Sequence, residues 1–166
     1  MKKHTPTKIT VEPGEQELFI MREIAARTAA TSGILFALLL GSLHFLEPEF
    51  DPTWRFISEY ALGKFGWMMH LAFAALAVSL ASIGVAVFVW VRNVLGYIGL
   101  LILFLAVAGL FLAASFTTDP INTRPEDMTR SGQLHVLGAS LDYSPLAFLL
   151  LSFSLTRQGE WLPIRK

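Results

Sequence analysis

A chain of 166 residues that is 54% hydrophobic and 16% charged, with a mean hydropathy of +0.55, is too apolar for an ordinary water-soluble domain of its size. Thirteen Lys and Arg balance thirteen Asp and Glu, so there is no global basic field to recruit nucleic acid, and the expected solvent is the lipid bilayer. With no cysteine, disulfides and thiolate metal sites are excluded, and cysteine usage carries no information about redox compartment.

Residues 1–28 read as a mixed-charge N-terminal segment that is retained, because the apolar run starts late and lacks a small-residue cleavage site. Within it Leu18, Phe19, Ile20, Met21 and Ile24 lie among Glu15, Glu17, Arg22, Glu23 and Arg27. That pattern predicts a helical extension of the first span, with a short helix on the membrane surface as the alternative. A hydrocarbon core of about 30 Å asks for about 20 apolar residues per crossing. Four stretches supply them: 29–46, ending at His44 and Glu47; 66–91, closed by Arg92 and Asn93; 94–116; and 133–155, broken at Pro145 and stopped by Arg157. The connection at 91–93 is so short that the second and third spans must form a tight antiparallel hairpin. Gly96, Gly99 and Gly109 let the third span approach a neighbour closely. The expected fold is therefore all-α: an integral membrane bundle of four transmembrane helices over 29–156, with a tail over 157–166.

Lysine and arginine placement orients the bundle. Lys2, Lys3, Lys8, Arg22, Arg27, Arg92, Arg157, Arg165 and Lys166 fall on one side, nine in all, against four on the other: Arg55, Lys64, Arg124 and Arg130. Short loops rich in these residues stay inside, which predicts cytoplasmic termini and two external loops.

Polar residues gather at the external ends of the spans. His44 closes the first, His70 lies one turn into the second, Thr117, Thr118 and Asp119 close the third, and His135 opens the fourth. His135 and Asp142 are spaced i and i+7, on one face of a continuous helix, with Gly138 and Ala139 keeping that face small. A carboxylate this deep costs roughly 2.5–3.5 kcal/mol on insertion scales, so Asp142 is expected to face the bundle interior and take a partner from another helix, with His70, a hydroxyl or a water as candidates.

The first external loop carries Ser58, Glu59 and Tyr60. Ile57, Tyr60, Ala61 and Phe65 have helical spacing, and Trp54, Tyr60 and Trp67 read as interfacial anchors. In the second loop Asp119 precedes Pro120, which ends the span; Thr117 or Thr118 can cap backbone groups, and Asp119 can accept from His135 or Arg130. A carboxylate, a hydroxyl and histidines converging at one depth is what metal coordination or acid–base chemistry needs. The catalytic candidates are Asp119, His135 and Asp142, and the metal candidates are His70, Asp119 and His135. A buried hydrogen-bond network that merely orients the helices explains the same residues.

The run Ser58-Glu59-Tyr60-Ala61-Leu62-Gly63, then Gly66-Trp67-Met68, then Phe116-Thr117-Thr118-Asp119-Pro120, then Gly132 and His135, resembles the domain of unknown function 998 family of multi-pass membrane proteins. Counting the first two runs as one signature, the three signatures come in the family's order over roughly residues 33–155. The resemblance implies that Ser58, Glu59, Tyr60, Asp119 and His135 occupy motif positions; it implies no established reaction. Thr117 stands where a proline is expected. The family also implies further helices beyond these four, so a shortened member, a fragment and a bundle completed by self-association, a homo-oligomer, all stay open.

Three functions follow as expectations. The first is a structural or binding role in a bacterial plasma membrane, with the external polar cluster recognising a lipid head group or a partner. The second is a membrane-embedded, metal-dependent lipid hydrolase built on Asp119 and His135, although the His-x-x-x-His spacing of ceramidase-type membrane hydrolases is missing. The third is a subunit of a proton-coupled carrier or channel that uses Asp142 and His135 as relay groups.

Overall fold

The structure, a computed structural model, describes residues 13–157; among them all regular structure is helical, with five α-helices and two short 3-10 turns. Lys2, Lys3, Lys8, Arg165 and Lys166 lie outside the described residues, as does the expected tail past Arg157.

Helix α1 (Pro13–Leu46) is unbroken for 34 residues, about 51 Å at 1.5 Å per residue. No Gly or Pro interrupts residues 15–32, and Ala25, Ala26, Ala29 and Ala30 are strong helix formers, so the predicted extension and the first span share one axis. The surface-helix alternative is not adopted. Ala25 and Ala29 are buried, Ser79 Oγ donates to the Ala29 carbonyl at 2.8 Å, and the Arg22 guanidinium lies 4.4 Å from the Trp90 ring centre. Trp90 marks the level where the neighbouring helix stops, so the first turns of α1 project beyond it.

Helices α2 (Gly66–Phe88) and α3 (Val94–Ser115) form the predicted hairpin. Asn93 caps α3 by accepting from Gly96 N at 2.9 Å, and it also accepts from Ser154 Oγ at 3.0 Å. Met69, Ala72, Phe73 and Leu80 of α2 share a core with Leu100, Leu103, Val107 and Leu110 of α3.

The fourth span is present and is broken next to Pro145, as expected. It is two helices, α4 (Arg130–Ser140) and α5 (Ser144–Arg157), joined through Leu141, Asp142 and Tyr143. Pro145 has no N–H to give and clashes with a preceding turn, so it is tolerated only in the first turn of a new helix, which is where α5 places it. The break therefore falls before the proline, and Asp142 stands past the end of α4. His135 and Asp142 do not share one continuous helical face.

The helices pack in chain order. α1 lies on α2, α2 on α3, and α3 on both α4 and α5, while α1 makes no comparable contact with α4 or α5. The bundle is consequently open. A close crossing joins α3 to α4 through Gly109 and Gly138: a Cβ on Gly109 would lie 2.3 Å from the Gly138 carbonyl oxygen, and one on Gly138 would lie 2.5 Å from the Gly109 oxygen. Small residues permit this approach, as the sequence anticipates. The loops after α1 and α3 meet at one end of the molecule, the loop end, where the candidate residues lie.

Candidate functional site

The two histidines singled out from sequence meet the same target. Helix α3 ends at Ser115 with carbonyls that have no partner inside the helix, and in an apolar setting such groups must be satisfied locally. His70 Nδ1 approaches the Ala114 oxygen at 2.7 Å from α2, while His135 Nδ1 lies 3.0 Å from the Ala113 oxygen and 2.8 Å from the Phe116 oxygen from α4. A carbonyl only accepts, so both Nδ1 atoms carry the proton. His70 Nε2 then accepts from Thr117 Oγ1 at 3.3 Å, which occupies both of its nitrogens. His135 is buried against Phe73, with ring centres 5.9 Å apart.

The carboxylates sit at the opposite kind of terminus. Glu47, 1% exposed, accepts from Phe65 N at 2.6 Å at the start of α2. Asp119 accepts from Thr129 N at 2.8 Å and from Thr129 Oγ1 at 2.9 Å at the start of α4, and Thr129 Oγ1 in turn receives Gly132 N at 3.0 Å. Its expected donors, His135 and Arg130, are not the ones used. A Cβ on Gly132 would lie 2.0 Å from Asp119 Oδ2, so only glycine leaves room for this carboxylate. Asp142, expected in the bundle interior, is instead exposed at the α4–α5 break, where its Oδ1 accepts from Ser144 N at 3.1 Å. Anions at helix starts and imidazoles at a helix end follow the helix dipole.

Glu59 ties the two loops together. It is 1% exposed in the 3-10 turn Ile57–Leu62, and its Oε1 accepts from Ile121 N at 2.9 Å and from Arg55 Nη1 at 3.2 Å. Tyr60 corrects a second expectation. Trp54 and Trp67 are exposed as anchors should be, but Tyr60 is buried between the rings of His44 and Phe50. Burial, reinforced by the negative charges of Asp51 and Glu47, raises its phenol pKa above the ordinary 10.0. The folded state therefore favours the protonated phenol. That contribution is complete below about pH 10 and is lost as pH rises through the raised folded-state value. In an alkaline absorbance titration one of the three tyrosines should ionise after the others, and Tyr60→Phe should remove that late phase; three tyrosines titrating together would contradict the burial.

Between the loops and helices α2, α3 and α4 lies a groove of about 560 Å³. Phe56, Ile57, Phe73, Leu110 and Val136 give it apolar walls, and Ser58, Thr118, Asp119, His135 and Asp142 contribute polar groups. The sequence-selected residues thus divide. Ser58, Asp119, His135 and Asp142 share the groove, whereas Glu59 fastens the loops, and His44, His70 and Tyr60 serve packing and capping. Among the described residues no three His, Asp or Glu side chains form a group able to hold a metal ion. Glu47 was missed as a site residue; its signal is a carboxylate placed directly after an apolar span, ahead of Pro48.

Four helical passes long and apolar enough to cross a membrane, with Leu38, Leu101 and Leu149 exposed along them, define a multi-pass helical membrane protein. The family model described as "Protein of unknown function (DUF998)" matches residues 30–166, and the chain belongs to that family. No curated protein and no solved structure matches the chain.

Proposed function

We propose that the chain is a non-catalytic binding protein of a bacterial plasma membrane, with cytoplasmic termini, whose external loops hold open a groove for an amphiphile of the outer leaflet. The lysine and arginine asymmetry supports the orientation. The observation that carries the binding role is the groove itself: about 560 Å³, apolar with a few convergent polar groups, the usual character of a small-molecule site. The polar groups around it are largely committed to main-chain partners, which suits a rigid frame better than a reaction centre.

A lipid hydrolase would draw His70, Asp119 and His135 onto one ion, but His70 is engaged through both nitrogens and Asp119 through both oxygens. Metal analysis of detergent-purified protein is therefore expected to find no stoichiometric transition metal in the wild type, His135→Ala or Asp119→Ala. A full equivalent of zinc that both substitutions remove would reinstate the hydrolase. The binding role itself is tested by lipid mass spectrometry of the purified protein: an amphiphile retained by the wild type should be absent from Ala139→Trp, which fills the groove. Retention unchanged by that substitution would sink the proposal. A proton relay remains the second reading because Asp142 lines the same groove.

A further inference from the structure

We infer that the groove selects an amphiphile whose head is a protonated amine, with Asp142 as its counter-ion. This deepens the binding role above and rests on it. None of the residues lining the groove is Lys or Arg, yet two are aspartates. Their positions differ in consequence. Asp119 has both oxygens engaged by Thr129 at the edge of the loop. Asp142 lies past the end of α4, an eleven-residue helix that carries the chain about 16 Å away from the loop end. It gives one oxygen to Ser144 N, and its other oxygen has no partner among the described residues.

A carboxylate at membrane depth is costly unless a cation or several donors compensate it. The basic side chains of the loop end are placed elsewhere: Arg55 pairs with Glu59, Arg124 pairs with Asp127, and Lys64 lies over the Phe65 ring, outside the groove lining. Arg130 starts α4, about 18 Å along the helix from Asp142. His135 is anchored through Nδ1 on two carbonyls at the end of α3 and makes no hydrogen bond or ion pair with Asp142 among the described residues. The lining thus combines apolar walls, acceptors and one under-compensated anion. An ammonium head with a hydrocarbon chain is complementary to it, and a phosphate or carboxylate head is not.

The test uses the full chain in nanodiscs and three probes of equal chain length: dodecylamine, dodecanol and dodecyl phosphate, each competing against radiolabelled dodecylamine. Ala139→Trp defines non-specific partition. Dodecylamine should bind the wild type about tenfold more tightly than dodecanol, and dodecyl phosphate more weakly than either. In Asp142→Asn, whose amide oxygen still accepts from Ser144 N, the amine preference should fall to within about twofold while dodecanol binding is unchanged. Asp142→Ser, which also keeps a capping oxygen, repeats the measurement if the asparagine variant melts early. Equal affinity for amine and alcohol, both lost in Ala139→Trp, would overturn the amine inference and leave the groove standing. Binding of all three probes no different from that to Ala139→Trp would overturn both.

Discussion

Gly138→Ala is expected to destabilise the protein by about 3 kcal/mol, the upper part of the range for forcing extra volume into a packed interface. The new Cβ would lie 2.5 Å from the Gly109 oxygen and 2.8 Å from the Ala113 nitrogen, both of them backbone atoms of α3. A flexible side chain could swing aside, but here a whole helix has to move by about 1 Å, because packed interiors hold no slack. The displacement acts one turn from His135, whose Nδ1 holds the Ala113 and Phe116 carbonyls, so the cap on α3 loosens as the crossing widens. In detergent the melting temperature should fall by roughly 6–12 °C. Gly109→Ala meets the Gly138 oxygen from the other side and should behave alike. Since both methyl groups demand the same separation, the double variant should cost clearly less than the sum of the two. Two independent, additive losses, or a Gly138→Ala protein that melts with the wild type, would mean that α3 and α4 are not in contact at this crossing.

This crossing was partly legible in the sequence. Glycines in an apolar span have few roles other than close approach, and the small face made by Gly138 and Ala139 stood out because polar groups flanked it. Hydropathy gave the four passes because their apolar runs match the bilayer thickness, and a three-residue connection left the α2–α3 hairpin no alternative. The one expectation of the fourth pass that fails, a shared face for His135 and Asp142, fails for a local reason. Helical periodicity from His135 to Asp142 crosses the boundary that Pro145 imposes from downstream, so the two residues do not share a face.

The chemistry of the polar residues was harder to read, because capping and catalysis call on the same side chains. Histidine at 70 and 135 and carboxylate at 47, 119 and 142 have the composition of a metal site. The structure distributes them by the sign of the helix ends: imidazole N–H groups on the carbonyls that finish α3, and carboxylates on the amides that begin α2, α4 and α5. Which terminus a residue will serve depends on how the loops return across the bundle, and residue spacing along the chain does not contain that information. Glu59 finds its Ile121 partner, and Ser58 comes to line the groove, only once the second loop lies beside the first.

Glu59→Ala is the second large effect, expected to cost about 3 kcal/mol, because truncating one member of a buried charged pair strands the other. Glu59 is 1% exposed, and its single engaged oxygen serves two donors from different loops. Removal leaves the Ile121 amide unpaired and the Arg55 guanidinium, itself three-quarters buried, without its anion. Glu59→Gln separates the two contributions. Its amide oxygen still receives Ile121 N, so the loops stay joined and the loss should be smaller, confined to the Arg55 pair. Ile121 and Ser58 line the groove on either side of this bond, so Glu59→Ala should also raise amide hydrogen exchange over residues 117–129 and weaken groove binding, whereas Glu59→Gln should leave exchange near the wild-type level. If the alanine and glutamine variants lose equal stability and exchange alike, the ion pair dominates and the loop-to-loop hydrogen bond contributes little; if neither changes exchange over 117–129, the first loop does not hold the second in place.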